Sequence, residues 1–423
     1  MARVAVVIGG GHNGLMAAIT LRESGFKVTL IEARDKVGGM ADTESIMGVK
    51  VSRASYVIGL MPKPFLEKFN LPLIRQDPFQ VVYVNGKVIP FWRDRGRRIK
   101  ALVDAGEVKF PEFEDKLLKF KDLIERRFTF VEKPPSISEI REEAVKLGVE
   151  EFIDESCRRV LNEYLSQDLH YTFMYPGMEN SPAYLIAYFY SPDWSLIKGG
   201  TGTLGEVMLN HALSVGVDVK LGVKVNGVEV SGDLVKGVET NQGVIRADLF
   251  VSSVSPLELN RWLGGRLIKR TPPKSGWRKY NIVLKEYPKL PQELKPFAHS
   301  IIDTEAGEML IPSILDETRG GVVIEFMGDL DSLIGMMPDM RDKVIAIDEL
   351  TPERAEAMYN VPNGDVNHLP MRVPYILENR PGYTTPFMNL FQGSAGNYPG
   401  GQITGVPGYN AAKLAAAMSS GFK

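Results

Sequence analysis

The chain has one cysteine, Cys157, in 423 residues. An intramolecular disulfide, a cysteine metal cluster and a redox dithiol are therefore excluded. Long apolar runs are also missing. Tyr184-Leu185-Ile186-Ala187-Tyr188-Phe189-Tyr190 is among the longest, far short of the ~20 residues of a spanning helix. Charge of one sign is lacking: 50 Lys and Arg stand against 52 Asp and Glu, which gives no reason to expect a nucleic-acid partner. Histidines 12, 170, 211 and 299 show no metal-ligand spacing, nothing resembles a Ser/His/Asp set, and no metal site is expected. Internal repeats and low-complexity tracts are absent. The first strand begins within three residues of Met1, which reads as a chain without a leader and of cytoplasmic location.

What the chain does have is a concentrated signal in its first forty residues. The apolar run Val4-Ala5-Val6-Val7-Ile8 leads directly into Gly9-Gly10-Gly11-His12-Asn13-Gly14. Ala17, Ala18, Ile19 and Leu21 then line a helix, and Val28-Thr29-Leu30-Ile31 forms a second strand ending at Glu32. Strand, Gly-x-Gly-x-x-Gly, helix, strand and acid come in the order a dinucleotide site requires. Gly9 permits the tight turn, Gly11 the approach of backbone to a pyrophosphate, and Gly14 close packing of helix on strand. The pyrophosphate is expected at the helix N-terminus, where free N–H groups and the helix dipole favour an anion. Glu32 is placed to accept from a ribose diol.

The continuation Glu32-Ala33-Arg34-Asp35-Lys36-Val37-Gly38-Gly39-Met40-Ala41 resembles the E-x(5)-G-G segment of FAD enzymes with the glutathione-reductase-like fold. FAD is the cofactor that this resemblance implies.

Beyond Met61 the α/β rhythm is lost. Gln80–Val84 and Lys87–Phe91 read as a strand pair closed by Asn85-Gly86. Helical spacing follows at Phe113, Leu117, Phe120, Ile124 and Phe128, until Pro134-Pro135. The α/β pattern returns near Gly199, with a helix over 204–213 and strands over 217–221, 223–230 and 249–251. It lapses again from about 271 to 345, where 277–284 is a strand candidate. A small-residue helix spans 410–418. The expected organisation is a cofactor domain written in three pieces, 1–62, 191–270 and 346–423, with a substrate or cap domain from 63–190 and 271–345.

Gly200-Thr201-Gly202-Thr203-Leu204-Gly205 repeats the glycine spacing, but no good strand precedes it and no acid follows at the required distance. It reads as a helix entry. The C-terminal run from Asn389 to Ala412 passes from a strand through glycines into a helix, whose positive end would suit charge developing on a reduced flavin.

The N-terminal Gly-Gly-Gly-His-Asn-Gly-Leu, the segment Ser52-Arg53-Ala54-Ser55-Tyr56-Val57-Ile58 and the C-terminal Gly-Ser…Pro-Gly-Gly…Gly-Val-Pro-Gly-x-Asn-Ala-Ala together resemble the phytoene desaturase-like FAD oxidoreductases. The resemblance is closest to the branch of pyridine nucleotide-disulfide oxidoreductase domain proteins. It implies a glutathione-reductase-like (Rossmann-type) α/β FAD-binding domain with a discontinuous α+β substrate domain. It places the adenosine and pyrophosphate at Gly9, Gly11, Gly14, Glu32, Arg34, Gly39 and Ala41, with Asn13, Ala33 and Met40 beside them. Val225 would add backbone contacts on the adenine side. Gly393, Ser394, Ile403 and Thr404 would follow the pyrophosphate, ribityl chain and ring.

The related desaturases read His-Pro-Gly where this chain has Tyr398-Pro399-Gly400, and Gln402 replaces a further glycine. Tyr398 and His368, the latter in Gly364-Asp365-Val366-Asn367-His368, are the candidate flavin-face residues. The implied activity is hydride transfer between a hydrophobic, isoprenoid or lipid-like substrate and flavin N5. Two alternatives stand beside it: an oxygen-using oxidase of the amine oxidase kind, and a flavin-binding scaffold with little catalysis. The basic run Arg93, Arg95, Arg97, Arg98 and Lys100 reads as a solvated loop, with contact at an anionic membrane surface as its alternative. Self-association is left open.

Overall fold

The computed structural model describes residues 3–268 and 270–419. The apolar runs pair as a five-stranded parallel sheet in the order Leu390–Gln392, Leu249–Ser252, Val4–Ile8, Lys27–Ile31, Asp218–Lys220. Its central strands are apolar on both faces because helices cover one face and a small antiparallel sheet covers the other. The helix His12–Glu23 packs on one face between helices Gly202–Ser214 and Val406–Ser419. Residues 225–245 form a three-stranded antiparallel sheet that packs Val225, Val235 and Val238 against Phe250 and Leu259.

A seven-stranded sheet forms the second unit, in the order Val344–Leu350, Lys279–Leu284, Val322–Gly328, Gly307–Leu310, Ile301–Thr304, Gln80–Val84, Lys87–Phe91. Asn85 and Gly86 both take positive φ in the last hairpin, as a two-residue turn demands. The strand Val344–Leu350 belongs to this sheet and so crosses the boundary the sequence suggests at 345/346. Helix Arg95–Asp104 packs on strand Lys87–Phe91 and on helix Phe110–Arg127, which in turn packs on Ile137–Leu147, and Cys157–Tyr164 shares their core. Phe110, Phe113, Leu117 and Phe120 are fully buried, so the apolar stripe of the long helix faces a core. No helix among the described residues is long and apolar enough to cross a membrane.

The basic run opens a helix rather than forming a loop, and Arg95, Arg97 and Lys100 on it remain exposed as expected. Asp94 caps the helix Arg95–Asp104 by accepting from the Arg97 N–H. Arg98 is buried on Glu114 at 2.6 Å. Arg93 donates to the carbonyls of Gln76, Pro192 and Trp194, and Arg97 stacks 3.6 Å over Trp92. These cations are committed to local structure. The second glycine motif is a helix entry, as its sequence suggests. A Cβ at Gly205 would lie 2.9 Å from the Gly38 Cα, so its glycines serve close packing.

Candidate active site

The turn after Val4–Ile8 does what its glycines allow. A Cβ at Gly14 would fall 1.8 Å from the Gly9 carbonyl oxygen, whereas one at Gly11 would meet only Gly39 Cα at 3.8 Å. Gly11 starts the helix His12–Glu23 with no side-chain cap, leaving first-turn N–H groups for a ligand. Glu32 is fixed at the neighbouring strand end, accepting from the N–H groups of Gly10 (2.6 Å) and Arg34 (2.8 Å). Arg34 is in turn held by Asp42 at 3.0 Å and by the Gly39 carbonyl.

These groups line a cavity of about 980 Å³, at the upper end of the ~300–1,000 Å³ usual for ligand sites. Gly9, Gly11, Asn13, Glu32, Ala33, Arg34, Gly39, Met40, Ala41 and Val225 border its nucleotide end, and Ile403 and His368 its middle. Gly14 stands behind the wall. Buried His12 Nε2, Asn13 Oδ1, Asn367 Oδ1 and His368 Nδ1 have no partner among the described residues, and all four residues face this cavity. A glycine cradle, an uncapped helix start and orphaned polar atoms along one channel fit a bound FAD.

The C-terminal motif requires correction. Its cavity wall is Ala395, Gln402 and Ile403. Gly393, Ser394 and Thr404 do not border the cavity. A Cβ at Gly393 would lie 2.5 Å from the Pro407 carbonyl; Ser394 bonds the Asn397 side chain; Thr404 accepts from the Val406 N–H at the helix start. Tyr398 is also turned away. It is fully buried and donates to the Phe128 carbonyl at 2.6 Å, which ties the C-terminal loop to the helical cap. Sequence adjacency to a glycine turn could not reveal on which side of the turn each residue lies.

His368 takes positive φ and sits on the cavity beside His12. Burial pushes His12 down to about 4 and His368 down to about 3, so both are neutral near pH 7. The His368 segment is clamped by Arg380, which is fully enclosed and donates to six carbonyls: Asn367, Leu369, Pro370, Tyr375, Ala395 and Asn397.

Beyond His368 the cavity enters an arm walled by Tyr56, Phe173, Met174, Tyr175, Tyr190, Trp194 and Met327. Two charged residues there were missed from sequence. Lys279 is fully buried, donates to the Ser52 carbonyl and Asn281 Oδ1, and lies 5.2 Å over the Tyr56 ring. Burial brings its ammonium down to about 8. Glu308 accepts from the Tyr56 hydroxyl, and burial raises it to about 7. The available signal was polar Lys279 and Asn281 alternating on a strand that is otherwise apolar.

A family model described as flavin containing amine oxidoreductase matches residues 14–346. Pyridine nucleotide-disulfide oxidoreductase domain-containing protein 2 of Mus musculus is 24% identical, the match covering 97% of this chain and 92% of that protein. The 4,4'-diapolycopen-4-al dehydrogenase of Metabacillus indicus is 25% identical over 58% of this chain and 54% of that protein. Cyclohexylamine oxidase from Brevibacterium oxydans shares the fold with a TM-score of 0.61 and 16% identity, covering 100% of both chains. With a Rossmann-type nucleotide domain, a separate substrate-binding domain and a site that fits FAD, the chain belongs to the flavin-containing amine oxidoreductase family and is an FAD-binding oxidoreductase.

Proposed function

We propose that the protein oxidises a hydrophobic amine, with FAD as its cofactor. One observation carries this reading: a continuous cavity leads from the nucleotide turn, past His368 and Lys279, into an aromatic arm. Aromatic faces favour a cation, and the neutral histidines do not repel one. Family membership and the fold shared with an amine oxidase support an amine-type substrate.

In this reading the Gly9–Gly14 turn holds the pyrophosphate through backbone N–H groups, and Glu32 accepts from the ribose. FAD, when bound, supplies a two-electron acceptor, so that hydride leaves the carbon bearing nitrogen and the resulting imine is released to hydrolysis. The aromatic walls keep water from that carbon. Lys279, fixed by Ser52 and Asn281, holds a proton at Nζ below about pH 8 and can accept one above it. That is the range in which a proton carrier works well at physiological pH.

The test is an absorbance spectrum of the purified protein, followed anaerobically as cyclohexylamine, octylamine, an isoprenoid, NADH and NADPH are added in turn. Bleaching of the flavin bands by an amine, with peroxide released on admitting air, is the expected result. A protein that cannot be loaded with FAD overturns the reading. A second reading, hydride transfer from an apolar isoprenoid to flavin N5, is favoured by the likeness to the diapolycopenal dehydrogenase and by the apolar walls Phe173, Met174 and Met327 of the arm. Bleaching by the isoprenoid and by no amine would select it.

A further inference from the structure

The register of the second sheet places a row of side chains across the floor of the aromatic arm. Lys279 pairs with Met327, Met327 with Glu308, and Glu308 with Asp303, on four adjacent strands. Directly paired residues point to the same face of a sheet. Lys279, Met327 and Glu308 all line the cavity. Asp303 stands one strand further, its Oδ2 held by Thr172 at 2.9 Å and Gln80 at 2.7 Å, two residues that also line the cavity. At ~4.8 Å per strand, Glu308 lies ~10 Å and Asp303 ~14 Å from Lys279 along the row.

Two carboxylates directly opposite each other repel, and a buried acid without a cation is costly. Glu308 has the Tyr56 hydroxyl on one oxygen, and its other oxygen has no donor among the described residues. No described cation forms an ion pair with either acid. The groups facing them are Tyr56, Gln80, Thr172 and Tyr175, all neutral near pH 7. Glu308 is partly exposed and lines the cavity.

We propose that Glu308, backed by Asp303, is a subsite for a cationic group at the far end of an elongated substrate whose reacting carbon lies at the Lys279 end. The substrate class is a chain with an oxidisable amine at one end, an apolar middle over Met327 and a second cation ~10–14 Å away. This rests on the amine reading above, since it takes Lys279 to mark the reacting end.

The experiment titrates FAD-loaded protein anaerobically with α,ω-diaminoalkanes and with n-alkylamines of equal length, following flavin absorbance for reduction and tryptophan fluorescence for binding. Diaminooctane is expected to bind at least tenfold more tightly than octylamine, with the preference falling for shorter diamines that cannot span the row. In Glu308→Gln the preference is expected to shrink toward unity, and in Asp303→Asn to fall partway. Equal binding of diamine and monoamine at every length overturns the subsite, and if octylamine still reduces the flavin, the amine reading survives. A length-dependent preference without reduction by any amine supports the subsite and overturns the amine reading. A preference that persists undiminished in Glu308→Gln overturns the assignment to Glu308.

Discussion

Burial drives Lys279 and Glu308 in opposite directions toward one end, the loss of charge. Glu308 is raised from 4.5 to about 7, so its contribution to stability is complete below about pH 4.5 and is lost as pH rises through about 7. The Glu308→Gln variant, isosteric and never charged, is therefore expected to melt above the wild type at about pH 8, with the gap closing by about pH 5; calorimetry across that range checks it. Lys279→Met keeps the apolar stem and removes the proton carrier. Amine-driven flavin reduction, measured by stopped flow, is expected to fall by roughly 100-fold or more, with FAD content unchanged and any rise in rate near pH 8 abolished. The nucleotide residues were legible because Gly9 to Glu32 form one local unit whose chemistry is complete within a short stretch. Lys279 and Glu308 were not, because a strand register set by distant pairings decides that they share a face.

At the scale of elements, the helices His12–Glu23 and Val406–Ser419 approach closely. A Cβ at Gly408 would lie 2.0 Å from the Asn13 carbonyl oxygen, and Asn13 borders the cavity. Gly408→Ala must push the helices apart, at a cost of about 1–3 kcal/mol. A lower melting temperature and faster FAD release on dilution are the expected results, both readable by flavin fluorescence. The Asn85-Gly86 hairpin was visible in advance because turn chemistry is local. The basic run was misread for the opposite reason. Its helix depends on the Asp94 cap, and the burial of Arg98 depends on Glu114, which arrives from the next helix. Tyr398 failed likewise: its partner, the Phe128 carbonyl, is 270 residues distant.

Across the whole molecule, a buried ionic cluster joins the seven-stranded sheet to the two-stranded hairpin Thr43–Ile46/Val49–Ser52. Arg319, fully enclosed, bonds Asp316 at 3.0 Å and Glu325 at 2.9 Å and reaches the Lys50 carbonyl and Ser52 Oγ on the hairpin beside the nucleotide unit. Ser52 also donates its N–H to Glu325 and accepts from Lys279. Removing the cation alone strands two acids, so Arg319→Met is expected to cost about 3–5 kcal/mol, seen as a lower denaturant midpoint. Neutralising Asp316 and Glu325 as well should recover part of that loss. That residues 63–190 and 271–345 share a domain was legible in the sequence, but the strand pairing between 80–91 and 279–350 that brings these charges together was not, since it is set by partners distant in the chain. The strand order of the first sheet has a further consequence for biosynthesis. Val4–Ile8 leaves the ribosome first, yet one of its flanking strands is Leu249–Ser252, and the sheet is completed only by Leu390–Gln392. At ~5–20 residues per second, the glycine turn waits on the order of tens of seconds for its remaining walls. A nascent chain stalled before that last strand should retain no flavin, which makes cofactor capture wait on the synthesis of Leu390–Gln392.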